Sequence, residues 1–241
     1  NRTSGLLLIL DLLFAIMPVC GQDAAFSQFY SNPLYLNPAL AGTNECARLM
    51  FNYRNQWPSI DNNFTTYSAS ADRYFNGLSG GLGVMVVSDN VGNGIMNTTR
   101  FSAIYSVHIR LSREVNLNAG FEGTLHQQKI KSEQLIFRDM IDPLTGSINQ
   151  ANSVEQPPEN PTVSAADFSA GLLLGIGEKY FIGAATHHLT EPVLEFYNNS
   201  KNNLLYRKFT LHAGARFDLG GGGYNRQDNN FVLSPNIMYL Y

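Results

Sequence analysis

Charge is scarce in this chain: 15% of its 241 residues are Asp, Glu, Lys or Arg, against roughly a quarter in an ordinary soluble domain. A surface built mainly of ionised side chains is therefore excluded. A basic excess is also missing. With 16 Lys and Arg against 19 Asp and Glu, and a net charge of -3, no positive field exists to neutralise phosphates, which excludes nucleic acid as a partner. The basic residues gather in no run, which excludes a polybasic lipid-binding patch. Cysteine is limited to Cys20 and Cys46. If Cys20 is removed with a leader, Cys46 stands alone, so an intrachain disulfide, Cys-x-x-Cys chemistry and a cysteine-ligated zinc are all excluded. Past the first twenty or so residues no apolar run approaches the ~20 residues of a membrane helix, which excludes a helical membrane protein. No Walker loop, dinucleotide-binding glycine pattern or calcium loop occurs.

The amino terminus reads as an export signal over residues 1–21: Arg2, an apolar stretch from Leu6 to Val19, then Val19-Cys20-Gly21 as a cleavage site. The mature chain is expected to begin at Gln22. A membrane anchor is the competing reading, but the stretch is short and Asp11 interrupts it. Lipidation of Cys20 fits poorly with Met17-Pro18-Val19 before it.

What the chain does have is period-two alternation. Leu49, Phe51 and Tyr53 alternate with Arg48, Met50, Asn52 and Arg54, which sends apolar side chains to one face of a strand. Phe101, Ala103, Tyr105, Val107 and Ile109 alternate with Arg100, Ser102, Ser106, His108 and Arg110, with Ile104 the exception on the polar side. Val115, Leu117, Ala119, Phe121 and Leu125 oppose Asn116, Asn118, Glu122, Thr124 and His126, and Phe209 to Leu219 repeats the pattern against Lys208, Thr210, His212, Arg216 and Asp218. Further strands fit at Phe64–Arg73, Leu82–Ser88, Ala166–Ile176, Tyr180–His187 and Asn230–Tyr241. The clear runs have about the 9–11 residues that a tilted strand needs to cross a bilayer. A soluble sandwich would alternate in the same way, so the connections must discriminate. Longer ones at Gln56–Asn63, Asp89–Thr98, Gln127–Ala165 and Leu189–Arg207 take turns with shorter ones at Tyr74–Gly81, Leu111–Arg113 and Gly177–Lys179, the signature of outer loops and periplasmic turns. The connection containing Gly220 to Gly223 breaks the rhythm. The expected fold is thus all-β, an antiparallel transmembrane outer-membrane β-barrel over residues 45–241.

Residues 22–44 are expected to be an irregular segment. Pro33 and Pro38 push Asn32 and Asn37 toward extended backbone, and Gly42 releases the chain into the first strand. Phe26, Phe29, Tyr30 and Tyr35 need burial, so the segment should plug the lumen, dock a partner or seal the barrel mouth.

The run Phe26-Ser27-Gln28 followed by Asn32-Pro33-Leu34-Tyr35-Leu36-Asn37-Pro38-Ala39-Leu40-Ala41-Gly42 closely resembles the opening of the PorP/SprF family, membrane proteins of the type IX secretion system of Bacteroidetes. The likeness continues through Tyr53-Arg54-Asn55-Gln56-Trp57-Pro58, Gly80-Gly81-Leu82-Gly83, Asp167-Phe168-Ser169-Ala170-Gly171, His188-Leu189-Thr190-Glu191-Pro192 and Leu233-Ser234-Pro235. The resemblance implies a noncatalytic outer-membrane component of the secretion and gliding machinery. Its implied partners are that machinery, periplasmic linker proteins, outer-membrane lipid, and secreted adhesin or carboxy-terminal-domain cargo; no cofactor is implied. The candidate partner-binding residues are Phe26, Gln28, Asn32, Pro33, Leu34, Asn37, Pro38, Ala39, Gly42 and Trp57. Family members usually continue with further strands, so the chain is expected to be a carboxy-terminally truncated barrel. A general porin or small-solute channel is the alternative function.

Three other patterns bear on chemistry. Gly77-Leu78-Ser79-Gly80-Gly81 matches the nucleophile-elbow spacing, but an elbow needs a helix after the serine. A strand is expected there, hence a hairpin turn. His108, His126 and His212 fall on polar faces and could bind a metal if they shared one height; scattered lumen histidines are the simpler expectation. His187 and His188, as strand neighbours, should point to opposite faces. Arg48, Arg54, Arg100, Arg110 and Arg216 share the polar face with Glu122 and Asp218, as an internal ion-pair network or an anion-selective pore.

Overall fold

The computed structural model describes residues 23–220 and 230–240, excepting 25, 27, 45, 60–62, 132, 134, 149–157, 159, 178, 195, 197–203 and 234–235. The export signal expected over residues 1–21 lies outside the described residues. Strands β1 (Arg48–Gln56), β2 (Phe64–Phe75), β3 (Gly80–Val91), β4 (Met96–Arg110), β5 (Val115–Ile130), β6 (Thr162–Ile176), β7 (Tyr180–His187) and β8 (Lys208–Ala215) pair antiparallel with their sequence neighbours. The sheet curls into a half-barrel. Beyond β8 come β9 (Phe217–Gly220), β10 (Asn230–Leu233) and β11 (Asn236–Leu240); β11 joins the main sheet beside β8, while β9 pairs with β10.

Two sequence expectations change here. The strand expected from Phe209 to Leu219 is divided into β8 and β9, and the one expected from Asn230 to Tyr241 into β10 and β11. Gly214 lies opposite Asn236 and Phe217 opposite Leu233, so the four pieces keep a single register with one interruption. The connection expected to be long between the third and fourth strands is instead a tight turn over residues 92–95. Asp89 pairs with Thr98 and Asn90 with Asn97, so polar residues read as loop extend the ladder. Gly92 and Gly94 supply positive φ of 63° and 86° in that turn.

Burial separates a barrel wall from a soluble sandwich, because the polar face is the covered one. Ser68, Ser70 and Asp72 of β2, Arg100, Ser102 and Ser106 of β4, Asn118, Glu122, Thr124 and His126 of β5, and Thr210 and His212 of β8 are buried. The apolar partners in the alternation face out: Phe51 is 79% exposed and Leu49 70%, and Val84, Phe121, Leu125, Leu172, Ile182 and Leu211 are exposed around the rest of the sheet. A continuous exposed apolar face of this extent requires a nonaqueous neighbour, and a barrel wall in lipid meets that need. Among the described residues no helix is long and apolar enough to cross a membrane.

The ends of the wall differ. Residues 76–79 and 111–114 make tight turns at one end, where Gly177 and Lys179 also lie between β6 and β7. At the other, described parts of the two longer connections meet: the Asn160 amide donates to the Phe196 carbonyl, and Leu194, Phe196 and Leu205 are buried. The outward face generates a testable consequence. Phe121→Arg, placing charge midway along the longest strand, is expected to destabilise the folded protein in lipid vesicles by about 2–4 kcal/mol. Urea titration of vesicle-inserted protein measures this, and Leu144→Arg, at a loop position 94% exposed, should change it by less than about 0.5 kcal/mol.

Candidate functional site

The segment from Asp23 to Gly42 occupies the covered face. It is more regular than its sequence promised: one helical turn, α1 (Pro33–Leu36), precedes a 3-10 turn over Pro38–Leu40. Each begins with proline, whose fixed φ suits a first helical position. Asn37 between them is extended, with φ -159° and ψ 122°, as a residue before proline must be. Its Oδ1 accepts a 2.8 Å bond from the Ala39 amide, capping the second turn.

The sheet offers this segment a trough. Gly81, Ser106, Gly120, Gly171 and Ala185 are successive cross-strand partners on β3, β4, β5, β6 and β7, so one row of small residues crosses five strands. The segment lies in it with its backbone against the sheet. A Cβ on Gly120 would sit 2.2 Å from the Ala39 nitrogen, one on Gly81 2.2 Å from the Ala41 carbonyl oxygen, and one on Gly171 2.0 Å from Asn37 Oδ1. Glycine inside a strand weakens it; here the close approach of a second backbone explains it.

Because that backbone is buried, its polar groups need partners. The sheet's polar side chains supply them. Ser106 Oγ and Asn118 Nδ2 donate to the Ala39 carbonyl at 3.2 and 3.4 Å, and Arg48 Nη2 donates to that of Leu40 at 3.0 Å. Nε2 of His108 lies 2.9 Å from the Ala41 carbonyl and Nε2 of His187 3.3 Å from that of Leu36. The Gly42 amide donates to Asp72, which also forms a two-point ion pair with Arg48. Asn37 Nδ2 reaches the Leu172 carbonyl at 3.0 Å, the Ala184 carbonyl at 3.3 Å and His212 Nε2 at 3.0 Å. Asn32 Nδ2 donates to Ser68 Oγ at 2.9 Å. One apolar contact joins these. Leu34, fully buried, inserts among Met85, Val87 and Ile104, which explains the apolar Ile104 on an otherwise polar face; burial of such a side chain contributes roughly 1.5–3 kcal/mol.

A charged cluster holds the other end. Asp23 accepts from Arg100 Nη1 at 2.9 Å and from Lys208 Nζ, and lies 3.1 Å from His188 Nε2. Nδ1 of His188 lies 2.6 Å from Asp167, which also accepts from Thr190. Tyr35 donates its hydroxyl proton to the Ala24 carbonyl, accepts from Arg100 Nη2 and stacks edge-on against Phe26. Burial alone would raise the Asp23 carboxyl's pKa, but Arg100, Lys208 and His188 hold it well below the ordinary aspartate range. A cavity of about 20 Å³ remains between Asp23, Tyr35, Arg100, Glu122, His187 and His188, room for a single water.

A scan against family models matches the description "Type IX secretion system membrane protein PorP/SprF" over residues 19–241. The chain belongs to the PorP/SprF family. No match is found among curated proteins.

The PorP/SprF signature residues have unequal places. Asn32, Pro33, Leu34, Asn37, Pro38, Ala39 and Gly42 are brought together and buried in the trough. Phe26 is half-buried against Tyr35, and Gln28 is exposed. Trp57 stands apart, 56% exposed at the far end of β1 and packed edge-on against Phe64. Of the arginines, Arg48 and Arg100 are paired with Asp72 and Asp23, Arg54 bonds Gln56, and Arg110 and Arg216 are exposed. The ion pairs expected inside therefore use the segment and β2 rather than Glu122. His108, His187 and His212 bond to different points of the segment, and no metal-holding group occurs among the described residues. The two adjacent histidines do not point oppositely: His188 leaves the strand with φ 58°, so both rings are buried. Ser79 sits at φ 48° in a hairpin turn that enters β3, not a helix, so it has no elbow geometry. Gly120 and Gly183 were missed by motif reasoning. Glycine at inward positions where neighbouring strands carry Asn, Glu, Thr or His was the available signal.

Gly120→Ala is expected to destabilise the protein by about 1–3 kcal/mol through overpacking against backbone that cannot yield. Gly77→Ala, whose Cβ would meet nothing within 4 Å, should be neutral. Urea unfolding of both variants in detergent is the comparison, and equal stabilities would contradict the trough.

Proposed function

We propose that the chain is a noncatalytic outer-membrane component of type IX secretion and gliding that supports export or surface attachment of particular secreted proteins. The observation that carries this reading is the segment Asn32–Gly42, bonded by its own carbonyls to side chains of the wall. A general porin needs a water-filled interior; here many of the inward groups hold the segment. In this reading the tight-turn end, near which Gly42 meets Asp72 and Gly81, faces the periplasm and the linker proteins of the machinery, while Asp23 and Phe26 lie nearer the opposite end, beside Arg100, His188 and Lys208. The two longer connections, over 131–161 and 188–207, face outward toward cargo. The hairpin closed by Ile141 and Ile148 presents Ile141, Leu144 and Ile148 as exposed apolar contacts, with Ile136 exposed shortly before it, suited to a protein partner more than to a solute.

Deleting the gene is expected to remove particular adhesins from the cell surface without changing small-solute uptake. The purified intact protein should give no sustained ion conductance in planar bilayers. Unchanged surface adhesins in the deletion strain, together with steady conductance of the purified protein, would establish the channel reading instead.

A further inference from the structure

We propose that Arg100, Lys208 and His188 form an exchangeable binding site for a peptide carboxylate, occupied in this structure by the chain's own Asp23. The inference does not depend on the secretion role. Three donors from separate parts of the fold, β4, β8 and the residue after β7, converge on one carboxylate. His188 is aimed in advance: its left-handed backbone turns the ring inward and Asp167 fixes Nδ1, leaving Nε2 toward the ligand. The cations are built into the wall, whereas Asp23 belongs to the least anchored part of the segment. Among the described residues from 23 to 28, Asp23 alone bonds directly to the wall, while Ala24 and Phe26 reach it through Tyr35.

Withdrawing Asp23 would leave buried Arg100 and half-buried Lys208 without the carboxylate that pairs with them, which is unfavourable. An incoming carboxylate offsets that cost and a neutral ligand does not. The site also has unfilled polar capacity. The small cavity borders the same cations, and His126, directly opposite Arg100 on β5, is 4% exposed with neither ring nitrogen hydrogen-bonded. Asp23 competes from within the same chain, at high effective concentration, so a rival needs further peptide contacts beyond its carboxylate. An acidic segment of a partner protein meets that requirement.

The test is rescue of the intact protein in detergent. In Asp23→Ala, sodium acetate at ten times its dissociation constant, with chloride replaced to hold ionic strength, is expected to raise the melting temperature by about 4 °C. N-acetyl-aspartyl amide should act at lower concentration, and N-acetyl-asparaginyl amide should not act. Adding Arg100→Gln should abolish the rescue. Asp23→Asn preserves the side chain's size and guards against a variant that does not fold; acetate should stabilise it more than wild type. An equal shift with chloride, a shift that survives Arg100→Gln, or no acetate shift in either Asp23 variant would overturn the proposal.

Discussion

Much of the inner side of this wall follows from one close approach, that of the Pro38–Gly42 backbone to the backbone of β3 and β5. Two chains can lie that near only where no Cβ intervenes, so Gly81 and Gly120 are conditions of the arrangement, and Gly171 leaves room in the same way for the Asn37 side chain. Proximity then creates a demand. Carbonyls at Leu36, Ala39, Leu40 and Ala41 lose water and must be met by donors, and His187, Ser106, Asn118, Arg48 and His108 sit where those carbonyls emerge. A leucine row in the same positions would pack more apolar area and leave those carbonyls unpaired, at roughly 1–3 kcal/mol each.

The inner polarity of a barrel wall is usually explained by water. Here much of it answers to the segment. Asp72 shows the coupling: it takes the Gly42 amide and the Arg48 guanidinium together, while Arg48 also donates to Leu40. Strand pairing, ion pair and segment docking are therefore one network, in which removing a member strands the others. The same holds at Asn37, whose amide is shared between two strands' carbonyls and His212.

The wall was legible in the sequence because period two is a direct consequence of strand geometry. Leu49, Phe51 and Tyr53, or Phe209 and Leu211, point where alternation sends them. Legibility failed where tertiary contact replaced solvent or lipid as the selecting environment. Ile104 breaks the pattern because its neighbour is Leu34 of the segment. His188 defeats the opposite-face rule because the strand ends one residue earlier and the backbone turns left-handed. Asp89 and Asn90 read as loop although they are paired in the ladder. The Asn-Pro repeat announced an irregular segment; only the glycines at inward positions, set between polar neighbours, could have located the trough that receives it.

The segment divides into two halves held by different physics. From Asn32 to Gly42 it is fixed by shape and by hydrogen bonds of its own backbone, interactions that require the whole trough and that salt hardly screens. From Asp23 to Phe26 it is fixed by one carboxylate among three cationic or hydrogen-bonding groups, with aromatic packing of Phe26 on Tyr35. The first kind of contact is lost only if strands move. The second can be exchanged group for group, because any carboxylate satisfies the same donors. A rigid anchor beside an exchangeable latch lets the end of the segment respond to a partner while the wall keeps its inner support. Such a division is favourable only if the anchor does not depend on the latch. Leu34 packs on β3 and β4 and Asn37 bonds β6, β7 and β8, and Asp23, held by Arg100, His188 and Lys208, enters none of those contacts.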